Sequence, residues 1–148
     1  MNKILISFVL IFSTTFNHAE QWTNGFSHGS EEYSLKNNKK QSINFSCNEG
    51  MGENTENGFW FKNGNEVFDE KDDIAILVNS YRFIPVPKET KSEKGSMDGI
   101  LFISSLATAK TIDVYHPMKS QWLKVGEFKA DFPAKFKDCP TVELKKIR

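Results

Sequence analysis

INFSCNEG, residues 43–50, is the stretch on which the reading of the fold turns. Ile43, Phe45 and Cys47 alternate with Asn44 and Ser46, the period of two that marks a half-buried strand. That strand ends in a cysteine, and the chain holds one other, Cys139, close to its far end. If the two pair, the early strand is tied to the last elements and everything between belongs to one domain. If they do not, Cys47 is a reactive thiol or a metal ligand.

The N-terminus favours pairing. Lys3 precedes an apolar run from Ile4 to Phe12, followed by a polar stretch and the small Ala19. This is the layout of a secretory signal peptide, with cleavage expected near Ala19. The run is about half the ~20 residues that span a bilayer, and no later segment is long enough, so no transmembrane segment is expected in the mature chain. The expected compartment is the periplasm, or the exterior, where disulfides persist. A Cys47–Cys139 bridge would close a loop of about ninety residues, which chain entropy makes worth up to ~4–5 kcal/mol. Neither cysteine lies in a CxxC or beside a histidine.

Outward from this strand the chain reads as β. Residues 20–41 are polar and rich in Gly, Ser and Asn, and are expected to be an extended or irregular lead-in to a β-rich domain over 42–148. Residues 58–68, GFWFKNGNEVF, carry Asn63-Gly64 between apolar runs, the signal of a tight hairpin. Residues 73–86 are β-rich, broken at Asn79-Ser80 and ended by Pro85 and Pro87. Residues 88–99 read as an exposed loop, and Ile100, Ile103, Leu106 and Ala107 as a short amphipathic helix. Two more strands follow: Ile112 and Val114 alternate with Asp113 and Tyr115 up to Pro117, and Trp122 and Lys124 alternate with Leu123 and Val125. In ADFPAKFKDC, Asp131 and Pro133 suggest the start of a short helix carrying Phe132, Phe136 and Cys139. Residues 141–147 suggest an edge strand. The expected fold is mainly β, a single-domain β-sandwich or small barrel with one or two short helices and one disulfide.

The order of these pieces resembles the small periplasmic β-sandwich proteins of the invasion-associated locus B type. The likeness runs over residues 43–139: the strand ending in Cys47, the hairpins, ISSLATAK, TIDVY, and WLKVGEF leading into DFPAKFKDC. Gly126-Glu127-Phe128 departs from the Gly-Phe or Gly-Ser pair usual there. The resemblance implies a sandwich and a bridge to the late cysteine, and no functional residue.

No catalytic motif is found: there is no GxSxG elbow, HExxH, Cys/His cluster or phosphate-cradling loop. His28 and His116 stand in ordinary turn contexts, and the FDEKDD carboxylates do not match a calcium loop. No enzyme activity, cofactor or metal is therefore expected. Positive and negative residues cancel, nineteen of each, which argues against nucleic acid as a partner. The charge is uneven, however. Glu49, Glu53 and Glu56 form one acidic cluster, and Glu66, Asp69, Glu70, Asp72 and Asp73 another. Either these are solvated faces or they steer a charged partner. Of the successive aromatics Phe59, Trp60 and Phe61, Trp60 must face opposite to its neighbours. It is then covered on a strand buried on both sides, or exposed as an interface anchor. These features make a protein-binding module the leading expectation, such as an immunity protein or inhibitor of an envelope-acting toxin or hydrolase. An accessory subunit of a secretion or conjugation assembly is the alternative.

Overall fold

The computed structural model describes residues 19–27, 29–47, 57–131, 134–136 and 139. Two antiparallel sheets face each other and do not close into a barrel. The first is a meander in the order β1 (Trp22–Ser27), β2 (Ser30–Lys36), β3 (Gln41–Cys47), β4 (Phe59–Asn63) and β5 (Glu66–Phe68). The second contains β6 (Ala75–Val78), β7 (Arg82–Pro85), β8 (Thr111–Met118) and β9 (Gln121–Lys129), in the spatial order β7-β6-β8-β9. The helix α1 (Glu93–Ala107) connects β7 to β8.

Alternation decides what fills the space between the sheets. Leu35, Ile43 and Phe61 lie opposite one another across the first sheet, as do Tyr33, Phe45 and Phe59. All are buried, and they meet Ile76, Val78, Ile112, Val114 and Phe128 of the second sheet in one core. Cys47 and Cys139 are bonded, so the bridge ties β3 to the far end of the chain as expected. Phe136, three residues before Cys139, packs against Trp22, Tyr33 and Phe45 at ring separations of 4.8–5.1 Å.

β9 crosses the first sheet closely at Gly126, where an added Cβ would sit 2.8 Å from the Phe61 ring. Two fully buried groups cannot both give way, so any side chain there overpacks the core.

Several expectations are corrected. Of the extended or irregular alternatives for 20–41, the extended one holds, and the stretch is part of the β domain, supplying β1 and β2. Tyr33 and Leu35, two apart and both buried, were the alternation present there. The Asn63-Gly64 hairpin forms one residue later than expected, with Gly64 and Asn65 in the turn and Asn63 opposite Glu66. The helix begins at Glu93, not Ile100, because Ser92 caps it by accepting from the Gly95 amide. Gly95 lowers the helix signal, yet a Cβ there would lie 2.3 Å from the Glu89 carboxylate. β8 runs through Pro117 to Met118; its pairing with β6 has already ended at Tyr115, so the missing amide breaks no bond to that strand. The described residues of 131–139 are not helical. The edge strand expected at 141–147 lies outside the described residues.

Both edges of the second sheet are guarded. Along β9, the Asn37 and Gln41 side-chain amides donate to the carbonyls of Glu127 and Val125, and the Glu20 carboxylate accepts from the Lys129 amide. Glu20 also forms a parallel bridge to Ala130, joining the two sheets at that edge. On β7, the Val86 amide donates inward to Ile74. Alternation then places the missing N–H of Pro85 on the free side, an arrangement that discourages strand pairing.

Candidate functional site

Trp60 and the acidic loop are the sequence-derived candidates within the described residues. Trp60 projects from the outer face of the first sheet and is half-buried. Its neighbours are already paired with one another. The Ser34 hydroxyl donates to Asn44 Oδ1 at 2.8 Å, and Asn44 Nδ2 donates to Ser42 Oγ at 3.0 Å and to the Trp60 carbonyl at 3.3 Å. Asn44 is only 8% exposed, so this row is a closed layer with its polar groups satisfied internally.

The loop after β5 behaves in a similar way. Asp69 Oδ1 accepts from the Lys71 amide, Asp72 Oδ2 accepts from the Asp69 amide, and the Asp72 amide donates to the Asp69 carbonyl. Two of its carboxylates therefore hold the turn, while Glu70 is half-buried. Asp73 is exposed and pairs with Lys88 at 2.6 Å. The lysine's hydrogen bond and charge hold the Asp73 carboxyl below the usual aspartate range.

The outer face of the second sheet differs. Phe83 and Trp122 are exposed at 47% and 44%, on strands at opposite edges of the sheet, with Tyr115 between them. Phe83 meets Tyr115 at 5.9 Å and Trp122 at 5.4 Å, both edge-to-face. Beside this cluster Lys124 bridges Asp113 at 3.6 Å and Glu127 at 3.2 Å. The hydrogen bond from Lys124 pulls the Glu127 carboxyl down, and Glu127 in turn raises the Lys124 ammonium. Next to Trp122 opens a cleft of about 370 Å³ lined by residues including Asp73, Pro85, Lys88, Pro117 and Gln121. Asp73 and its lysine partner are thus brought to the aromatic face.

The YfjT family model matches residues 20–130, most of the chain. The chain belongs to the YfjT family. No curated protein and no solved structure matches it. The likeness to the invasion-associated locus B type remains an expectation drawn from the order of elements.

In this YfjT-family chain the candidate residues do not converge on one site. Asp73 lines the cleft, Asp69 and Asp72 brace the loop leading to it, and Trp60 lies on the other sheet. Glu49, Glu53, Glu56 and His28 lie outside the described residues. The His116 ring packs against Phe68 at 5.0 Å, tilted by 51°, and its Nδ1 lies 3.3 Å from the Asp73 carbonyl. Among the described residues no three His, Cys, Asp or Glu side chains gather as metal ligands, and no helix is long and apolar enough to cross a membrane.

Sequence reasoning missed the cluster of Phe83, Tyr115 and Trp122. A signal did exist, since the alternation placed Tyr115 with Asp113 and Trp122 with Lys124, on the polar sides of their strands. Only the pairing of β7, β6, β8 and β9 shows that these sides form one face.

Proposed function

We propose that this chain is an exported protein-binding module that acts in the periplasm and docks a partner on the outer face of its second sheet. The observation that carries the reading is the cluster of exposed Phe83 and Trp122 with half-buried Tyr115 on a braced sheet. Large aromatics presented without prior reorganisation are the usual anchors of protein interfaces. Export is supported by the signal-like residues 1–19, by the disulfide, and by a family match that begins at residue 20.

In its sharper form the module neutralises a toxin or hydrolase of the envelope, as an immunity protein or inhibitor does. The braced acidic turn beside the aromatic face supports this, because it would draw a basic partner toward the anchors. The alternative is an accessory envelope subunit docking through an edge strand; the blocked β7 and β9 edges disfavour it at the second sheet and leave β1 and β5 of the first.

The test is capture by the oxidised mature chain from envelope and secreted extracts. Retention of one stoichiometric toxin or hydrolase by wild type and Trp60→Ala, but not by Phe83→Ser or by Asp69, Asp72 and Asp73 reversed to Lys, is the expected result. Retention of envelope-machine subunits that ignores both changes would sink the inhibitor reading.

A further inference from the structure

We propose that the cleft beside Trp122 is a saccharide-binding site in which a pyranose ring stacks on the Trp122 face. Its volume of about 370 Å³ lies within the range of small-ligand pockets. A pyranose has a face of C–H groups that suits an aromatic ring, and a rim of hydroxyls that each donate and accept. The cleft offers both kinds of contact.

One wall is the Trp122 indole, steadied through its contact with Phe83. Pro85 and Pro117 contribute apolar surface with fixed backbone. The polar groups are mixed: Asp73 and Lys88, paired at 2.6 Å, are both exposed and each keep further acceptor or donor capacity, Lys119 donates, and Ser120 and Gln121 do both. This mixture discriminates between occupants. A purely apolar side chain would strip water from Asp73, Lys88 and Gln121 and return no hydrogen bonds. A lone cation would meet the two lysines, and a lone anion would meet Asp73. A polyol satisfies donors and acceptors together.

The site also has room for more than one ring. A second cleft of about 500 Å³ shares Pro85, Val86 and Lys88 with the first and continues past Ile84 to Lys94, Asp98 and Leu101. The ligand class is therefore an oligosaccharide, with one ring on Trp122 and the chain running along residues 84–88.

This site goes beyond the docking face proposed above and does not depend on it. Failure to bind sugar leaves the capture result standing, and a failed capture leaves the sugar site standing. The test is calorimetric titration of the oxidised mature chain with two probes, cellotetraose and tri-galacturonate. Saturable binding of at least one probe is expected, weakened about tenfold in Trp122→Ala and unchanged in Trp60→Ala. Gln121→Ala, an exposed change that leaves the core untouched, should weaken it several-fold, so the proposal stays testable if Trp122→Ala folds poorly. Absence of saturable binding by both sugars overturns the proposal, as does equal affinity in a folded Trp122→Ala or in Gln121→Ala.

Discussion

The outer faces of the two sheets solve the same problem in opposite ways. Each carries a tryptophan on the solvent side of a strand. Around Trp60 the first sheet sets Ser34, Ser42 and Asn44, whose side chains pair with one another. Around Trp122 the second sheet sets Phe83, which meets its ring edge-to-face, and Tyr115, which packs on Phe83; nearly half of Trp122 stays in water. The first face is closed because its polar groups have each other; the second leaves aromatic surface open to solvent. An aromatic residue on a strand thus marks a binding surface only when its neighbours leave it something to gain.

The comparison breaks most completely if the core that holds the two faces apart is disturbed. Phe61→Ala removes a fully buried ring and should cost about 3–5 kcal/mol in chemical denaturation. Gly126→Ala should cost about 1–3 kcal/mol from the opposite direction, by crowding that same ring. Both variants should damage the two faces alike, and a loss confined to one face would contradict a shared core.

Asn44→Ala sharpens the contrast. It leaves the Ser34 hydroxyl and the buried Ser42 short of partners and should cost about 1–3 kcal/mol without affecting any ligand of the second sheet. Trp122→Ala should do the reverse, shifting stability by only about 0.5–1 kcal/mol while weakening binding at the second sheet. If their stability effects came out equal, the distinction between a closed and an open face would fail.

The smallest effect is in pH. Asp73 has its folded pKa depressed by Lys88, so its contribution to stability is present above the unfolded aspartate value and is lost as pH falls through the lower folded value. The unfolding midpoint of wild type should therefore lie slightly above that of Asp73→Asn near neutrality, and the two should converge as pH falls through that acid window. Because the pair is exposed, the difference should also shrink in high salt.

Much of this architecture was legible before the fold was known. Alternation marked β3, β8 and β9, since an apolar side turned to the core and a polar side turned away write a period of two into the sequence. The bridge was legible because a signal-like N-terminus and only two cysteines leave few other roles. β1 was not, since its four central residues are exposed and carry no period. The first half of α1 was hidden by Gly95, which yields to the nearby Glu89 carboxylate, a contact six residues away in sequence. The acidic loop was visible as charge, but not the use of two of its carboxylates to hold the turn.

By itself, then, the sequence determined the local periods: which residues of a strand share a side, where turns fall, and that Cys47 and Cys139 are suited to pair. Which sides were joined into a face was decided only by tertiary structure. Phe83, Tyr115 and Trp122 come from three strands separated in sequence, and sheet order together with register brings their rings together. The physical reason is that alternation is a property of one strand, whereas a surface is a property of its neighbours, and strand pairing fixes those neighbours across long stretches of chain.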